Sequence, residues 1–316
     1  MDAAAAGPGA VPSVSVVICC YALRRWEDVQ RAVSSIRGQS VPPRETIVVV
    51  DHNDELLARA RGSFLDEIVV PNREARGLSG ARNTGWRRAT ADVVAFLDDD
   101  AWAGPSWVAE VGARMAEVDV IAAGGTITAD WAGGRPPWWP EEFDWVVGCT
   151  YRGLPTAVAE VRNVIGANMA FRRDVLEEVG GFRGELGRLG AGAAGCEETE
   201  ICIRARAARP EGRVLYDPRL HVDHRVPAER SQLRYFLRRC VGEGVSKARL
   251  ARMSSPGDAL STERRYVTRT LPRAVGRNLA QGVRDRDRWG VGRAGAVVLG
   301  LAATTFGYAR GRLGRT

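Results

Sequence analysis

Three consecutive carboxylates are the part of this sequence best suited to chemistry. Asp98, Asp99 and Asp100 follow directly after an apolar run. Carboxylates this close together repel one another, and a bound cation is one arrangement that relieves the repulsion. Oxygen ligands of this kind suit Mg²⁺ or Mn²⁺, ions that usually keep several waters and also bind substrate phosphates. The other interpretation is an acidic turn that caps a helix predicted over residues 105–117. The triplet alone does not choose between the two.

Three polar residues further along the chain are suited to the same kind of site. Glu197 and Glu198 begin a predicted helix after a glycine-rich stretch. A carboxylate at that position serves either as a general base or simply as a favourable charge near a helix N-terminus. His224 follows a predicted strand and is one of only three histidines. Since a lone histidine is more often structural than a metal ligand, the sequence leaves both of its interpretations open.

The elements that must position these side chains are short apolar strands that alternate with amphipathic helices. Strands are predicted over residues 14–20, 46–50, 67–70 and 93–97, and helices over residues 26–37 and 78–89. This alternation predicts an α/β protein with a mostly parallel sheet, whose ligands collect beyond the carboxyl ends of the strands. Tyr21, Asp51 and the acidic triplet all follow such ends. We therefore expect them at one edge of the sheet.

The second half of the chain has weaker periodicity, so fewer elements are assigned there. A loop that enters a strand is predicted over residues 166–171, and a strand over residues 213–216. Helices are predicted over residues 174–179, 197–204 and 232–252.

Composition narrows the class of partner. The formal net charge of +7 comes almost wholly from arginine, because Lys247 is the only lysine. Phosphorylated substrates and anionic membranes both attract such a chain. No zinc-finger, helix-turn-helix or RNA-binding signature occurs, so nucleic acid is not an expected partner. The six cysteines lack paired CxxC spacing, which argues against a zinc site or a disulfide scaffold and favours a reducing cytoplasm.

Three further segments have simple structural interpretations. Residues 1–13 lack the basic start and apolar stretch of a signal peptide, and we expect a disordered leader. Residues 190–195 spell the dinucleotide-binding pattern GxGxxG, but no apolar strand precedes them, which favours a loop. Residues 294–309 are uncharged but shorter than the roughly 20 residues that span a bilayer. They predict a helix packed on the rest of the protein, or one that anchors the chain at a membrane surface.

Taken in order, these motifs resemble those of the family 2 glycosyltransferases, which are inverting enzymes with the GT-A fold. The matching stretches are residues 16–21, 47–51, 80–85, 96–100 and 166–173, followed by Glu197-Glu198 and His224. The resemblance covers residues 14–252. It implies a mostly parallel central sheet flanked by helices, with a nucleotide-binding half over residues 14–125 and an acceptor half over residues 126–252. Residues 253–316 would form a helical C-terminal extension.

The resemblance also implies a donor site for a nucleotide-diphosphate sugar. Tyr21 would line the pocket of the base and Asp51 would hydrogen-bond to it. Arg82 would approach the base or the diphosphate, and Asp98 would contact the ribose. The remaining donor-site residues implied by the resemblance are Asp99, Gly166, Ala167 and Asn168.

The metal site and the general base follow from the same resemblance. Asp100 would bind Mn²⁺ or Mg²⁺, and His224 would reach the metal or the diphosphate. Glu198 would take the proton of the acceptor hydroxyl. Glu197 remains a rival, because the family usually has Glu-Asp where this chain has Glu-Glu.

The implied activity is inverting transfer of a sugar to a saccharide, a lipid-linked molecule or a small molecule. The enzyme would work in the cytoplasm, or as a peripheral protein at the cytoplasmic face of the membrane. One alternative is a sugar nucleotidyltransferase, but the loop after the first strand has no glycine and Lys247 lies far downstream. The other is a non-catalytic module that binds nucleotide sugars, because a degenerate member of the family would keep the fold.

Overall fold

The computed structural model describes residues 11–184, 195–253 and 261–314. Most of the predicted leader and all but the last residue of the 190–195 glycine pattern therefore lie outside the described residues. The chain forms two compact units. Among the described residues, unit 1 contains 11–127, 156–184 and 197–223, and unit 2 contains 128–155, 195–196, 224–253 and 261–314.

Unit 1 is an α/β structure built around one sheet. Its strands, in chain order, are β1 (Val14–Cys20), β2 (Glu45–Val50), β3 (Ile68–Pro71), β4 (Val93–Asp98), β5 (Ala101–Ala103), β6 (Val120–Trp131), β7 (Ala159–Glu160), β8 (Asn168–Arg172) and β9 (Arg213–Val226). Its helices are α1 (Trp26–Arg37), α2 (Asp54–Ser63), α3 (Leu78–Arg88), α4 (Trp107–Met115), α5 (Arg173–Val179) and α6 (Glu197–Ala208). The last residues of β6 and β9 belong to unit 2.

The order of the strands brings the predicted site residues to one edge. The order is β3-β2-β1-β4-β8-β6-β9-β5, with β7 paired to β9. The first four strands are parallel, as the sequence predicts, whereas β8 pairs antiparallel with both β4 and β6. Because β8 runs in the opposite direction, its first residue, Asn168, lies beside Leu97 near the carboxyl end of β4.

The core that supports this edge is apolar on both faces of the sheet. Helix α1 has the bounds that the sequence predicts and buries Val29, Val33 and Ile36. On the other face, the ring of Phe182 packs edge-on against Phe96, with the ring centroids 5.3 Å apart. These side chains hold the strands rigidly, so the loops at their carboxyl ends have fixed starting points.

Helix α3 lies unusually close to the sheet, and a glycine permits this. A Cβ atom on Gly85 would lie 2.3 Å from Cγ1 of Val17 in β1, a distance that no packed side chain tolerates. The backbone of α3 therefore rests directly on β1. This close approach fixes the position of Arg82, which lies three residues earlier on the same helix.

Unit 2 is mainly helical. Its helices are α7 (Leu233–Met253), α8 (Ser261–Arg265), α9 (Leu271–Arg284) and α10 (Gly290–Leu313), with 3₁₀ segments at Glu141–Val147 and Ala228–Ser231 and a π-helical turn at Tyr266–Thr270. Helices α7 and α10 are in backbone contact: a Cβ atom on Gly244 would lie 2.1 Å from the carbonyl oxygen of Thr304. Phe236 of α7 also packs its ring against Trp139 and Phe143, at centroid distances of 5.1 and 5.2 Å.

Candidate functional site

The acidic triplet lies where strand β4 ends. Asp98 is the last residue of the strand and is half-buried, while Asp99 and Asp100 form the turn that follows and are buried. Strand β1 lies beside β4, with Cys19 aligned to Asp98, and β2 lies on the other side of β1. Asp51 follows β2 directly. The structure thus brings Asp51 and the triplet to the same edge of the sheet.

Arg25 joins two of the three carboxylates. One of its terminal nitrogens, Nη1, donates to Oδ1 of Asp99, and the other, Nη2, donates to Oδ2 of Asp100. Its guanidinium also lies over the ring of Tyr21, 5.4 Å from the ring centroid. Burial lowers the pKa of Arg25, but the charges of Asp99 and Asp100 more than offset this and hold it above its ordinary value. The group is a permanent cation. Sequence reasoning missed this residue.

Arg82 connects three further elements. Its Nη2 donates to the carbonyl oxygen of Gly166 at 3.1 Å and to Oδ1 of Asp98 at 3.3 Å, while its Nη1 donates to Oε1 of Glu197 at 3.1 Å. Only 2% of the residue is exposed. Burial lowers its pKa, but the charges of Asp98 and Glu197 raise it above the ordinary value. A buried, fully charged arginine therefore brings together the end of β4, the loop before β8 and the start of α6.

The two glutamates of α6 have different surroundings. Glu197 is buried, and its carboxylate is bound to Arg82 through Oε1, while its Oε2 has no hydrogen-bond partner among the described residues. Glu198 is only half-buried. The ion pair with Arg82 leaves the Glu197 carboxylate less available to an acceptor hydroxyl. The pairing with Arg82 thus distinguishes two residues that the sequence presents as equivalents.

Asp51 is held by the loop between β3 and α3. Its Oδ2 accepts from the backbone nitrogen of Gly77 at 3.0 Å, and its Oδ1 accepts from Nδ2 of Asn72 at 2.6 Å. The Nδ1 atom of His52 lies 2.8 Å from the same Oδ1. His52 itself has a φ of 48°, a left-handed conformation that is uncommon for a residue with a side chain. The carboxylate is therefore fixed in place at the sheet edge.

Asn168 has its side chain engaged within unit 1. Its Oδ1 accepts from Nε1 of Trp107 at 2.9 Å, and its Nδ2 donates to the carbonyl oxygens of Leu220 at 2.6 Å and Thr126 at 3.2 Å. Asn168 and Ala167 are both buried. The amide thus ties β8 to β6, β9 and α4, and keeps the preceding loop at the carboxyl end of β4.

The thiols nearest the triplet are not suited to nucleophilic chemistry. Burial raises the pKa of Cys19 and of Cys20 well above the ordinary value of a thiol, so both remain protonated. All six cysteines lie in the described part of the chain, and none of them forms a disulfide there.

His224 belongs to unit 2 and lies within strand β9, whereas the sequence places it after a strand. It is buried, and its Nδ1 lies 3.7 Å from Sγ of Cys149. Its role as a ligand of metal or diphosphate stays a prediction.

Comparisons with known proteins agree with one another. Residues 15–180 match the family described as Glycosyl transferase family 2. The glucosyl-dolichyl phosphate glucuronosyltransferase of Haloferax volcanii is 36% identical over 95% of this chain and 96% of its own length. The succinoglycan biosynthesis protein ExoM of Rhizobium meliloti is 25% identical over 77% of this chain and 76% of its own.

Solved structures show the same fold. The mannosyltransferase PcManGT from Pyrobaculum calidifontis, determined in complex with GDP-Man and Mn²⁺, has a TM-score of 0.60 at 18% identity and covers 94% of this chain and 88% of its own. GalNAc-T7, determined with UDP, GalNAc and Mn²⁺, has a TM-score of 0.53 at 19% identity and covers 75% of this chain and 48% of its own.

Proposed function

Because the chain belongs to the family 2 glycosyltransferases, we propose that it moves a sugar from a nucleoside-diphosphate sugar to an acceptor hydroxyl in a single, inverting displacement. The GT-A fold expected from the sequence is confirmed. Membership of this family favours glycosyl transfer from a nucleotide sugar over the two alternative functions, a nucleotidyltransferase and a non-catalytic module. The observation that best supports the finer proposal is the convergence of Asp51, the acidic triplet and Arg82 at one sheet edge.

The donor would bind across the carboxyl ends of β1, β2 and β4. Asp51 supports this assignment because its carboxylate is held at the edge by the loop before α3. Tyr21 follows β1 and would line the pocket of the base, and Asp98 at the end of β4 would contact the ribose. Gly166 and Ala167 would lie beside the donor sugar. Arg82 would orient this loop through the carbonyl oxygen of Gly166.

The triplet is chemically suited to a divalent cation. It supplies carboxylate oxygens, the ligands that Mn²⁺ and Mg²⁺ accept, and two of its members are buried, where a carboxylate needs a cationic partner. We assign Asp100 as the metal ligand of unit 1. A bound ion would neutralise the charge that develops on the departing diphosphate. His224 is proposed as a further ligand on the basis of the sequence motif.

Glu198 is the better candidate for the general base. It is half-buried and therefore within reach of an acceptor, whereas Glu197 is bound to Arg82. The Glu198 carboxylate would take the proton of the acceptor hydroxyl while that oxygen attacks the anomeric carbon. The attack comes from the face opposite the diphosphate, so a single displacement inverts the stereochemistry.

A panel of nucleotide sugars tests this function directly. We expect one nucleoside-diphosphate sugar to raise the melting temperature of the full chain when Mn²⁺ is present, and to do so much less with a chelator, because bound ligand stabilises the folded state. The panel should include UDP and GDP sugars, among them UDP-glucuronic acid. The function would be wrong if no donor stabilised the protein and no sugar transfer or donor hydrolysis were measured.

The acceptor is proposed from the relative and from the surface of unit 2. The Haloferax relative is named for a glucosyl-dolichyl phosphate, which favours a lipid-linked acceptor. Helix α10 is long and apolar enough to span a membrane by length and composition, and 33% of its most apolar 18-residue stretch is buried. Its exposed side chains include Val298, Leu299 and Phe306, and arginines follow at Arg310 and Arg312. We propose that this face lies on an anionic membrane surface.

Replacing two exposed apolar side chains of α10 tests the membrane contact. Leu299→Ser with Phe306→Ser should weaken sedimentation with phosphatidylglycerol-containing vesicles by roughly tenfold or more, because both side chains are lost from the bilayer interface. Val118→Ser is the matched control, since Val118 is 82% exposed in unit 1. Equal vesicle binding by the double variant and the control would contradict the membrane assignment.

A further inference from the structure

We propose that Arg25 is a cationic gate of the donor site. Its guanidinium holds Asp99 and Asp100 in one state, and it moves to the donor diphosphate when a divalent cation is bound by the triplet. The inference rests on the proposed metal and donor sites and adds a residue that neither the family motifs nor the sequence analysis singled out.

The contacts of the Asp99 and Asp100 carboxylates imply that Arg25 and a divalent cation compete for them. Arg25 uses separate nitrogens for Asp99 and Asp100, so a single guanidinium neutralises both groups. The side chains of Asp99 and Asp100 are 4% and 6% exposed, so this charge is poorly screened by water. A divalent cation ligated by the Asp100 carboxylate would lie within a few ångströms of the guanidinium. Since the two cations repel each other at that distance, binding of the metal has to displace Arg25.

The position of Arg25 in the chain allows the displacement. It is the last residue of a short 3₁₀ turn, Leu23–Arg25, between β1 and α1, and none of the three residues of this turn is fully buried. Its side chain is 16% exposed. Arg82 provides the contrast, because it is 2% exposed and bound to three separate elements. Of these two arginines, Arg25 is the one that can change partners without disturbing the core.

The contact between Arg25 and Tyr21 indicates where the displaced guanidinium would go. The Arg25 guanidinium already lies over the Tyr21 ring, 5.4 Å from its centroid, and Tyr21 lines the proposed pocket of the base. A side chain that swings away from the carboxylates about this contact stays next to the donor. Arginine offers a planar fork of donors that matches the oxygens of a phosphate. The diphosphate is therefore a ready partner for the cation that the metal displaces.

Arg25 would make the same contacts if it only stabilised the fold, as a structural clamp on Asp99 and Asp100. The affinity for Mn²⁺ distinguishes this clamp from the proposed gate. If Arg25 competes with the metal, Arg25→Gln should bind Mn²⁺ alone about tenfold more tightly, because the competent state no longer has to be freed from the guanidinium. At saturating Mn²⁺, the same variant should bind UDP or GDP, whichever the unmodified chain prefers, about tenfold more weakly. A clamp would instead weaken both affinities or leave them unchanged.

The experiment is titration calorimetry on the full chain with Mn²⁺, followed by UDP and GDP. Arg24→Gln is the control, because Arg24 is the exposed neighbour with the same charge. Arg25→Lys keeps the charge without the fork, so its Mn²⁺ affinity should lie between those of the unmodified chain and Arg25→Gln. This second variant covers the case in which Arg25→Gln does not fold.

The outcomes distinguish this inference from the function on which it rests. The gate is wrong if neither Arg25 variant binds Mn²⁺ more tightly than the Arg24→Gln control. It is also wrong if both metal and diphosphate affinities fall together. An unmodified chain that binds neither UDP nor GDP with Mn²⁺ would instead contradict the proposed donor site.

Discussion

Glu198→Gln should lower the rate of sugar transfer on the order of 10³-fold and leave the dissociation constant of the donor unchanged. The amide keeps the size of the side chain but cannot accept the proton of the acceptor hydroxyl. Glu198 is half-buried at the first turn of α6, so the substitution should not disturb the core. Turnover under donor and acceptor saturation measures the first effect, and calorimetry with the donor measures the second.

Glu197→Gln is the matched comparison because it makes the same chemical change one residue earlier. Its amide oxygen can still accept from Arg82, so we expect less than a tenfold loss of turnover. Arg82 would lose a charged partner in a buried position, and the melting temperature should fall. If Glu197→Gln lost transfer while Glu198→Gln kept it, the base would have to be reassigned to Glu197.

Asp100→Asn should abolish metal-dependent transfer, with a loss on the order of 10³-fold or more at saturating Mn²⁺. A metal ion contributes several kcal/mol to stabilising the charge of the leaving group, and each 1.4 kcal/mol is about tenfold in rate. The substitution removes the charge of the assigned ligand and keeps its shape. Turnover as a function of Mn²⁺ concentration is the measurement, and near-normal activity would show that Asp100 does not bind the catalytic ion.

Asp99→Asn is the control for this prediction. Both substitutions remove one negative charge from the triplet and one partner from Arg25. A loss that came only from charge or from the Arg25 contact would appear in both variants. We expect Asp99→Asn to keep the dependence on Mn²⁺ and to lose far less activity, since Asp99 is assigned to the donor and not to the metal.

The first half of the fold could be predicted because its signals are local. Helix α1 has the predicted bounds, since its apolar residues recur at helical spacing and are buried. Strand β6 was missed for a physical reason. It contains Gly124 and Gly125, residues that disfavour strands. A Cβ atom on Gly125 would lie 2.2 Å from the carbonyl oxygen of Leu220, so the neighbouring strand requires the glycine. Close approach between distant segments is not visible in a window of sequence.

Some residues of the candidate site could likewise be placed from the sequence, and others could not. Asp51 and the triplet could be placed from the sequence, because parallel strands put their carboxyl ends at one edge. The pairing of Arg82 with Glu197 could not, since these residues are 115 positions apart. Arg25 was missed because it appears in the sequence as half of one basic pair among many arginines. Only the orientation of its turn separates it from Arg24.

The buried cysteines can be used to measure local opening of the folded protein. Unit 1 contains the buried Cys20 and Cys202 and the half-buried Cys19, and unit 2 contains the buried Cys149, Cys196 and Cys240. Burial raises the pKa of Cys202 and of Cys240 to about 12, so their thiols are protonated and slow to react with alkylating reagents in the folded state. Pulsed alkylation read by peptide mass would therefore time the opening of each unit separately, in the native sequence and without an added label.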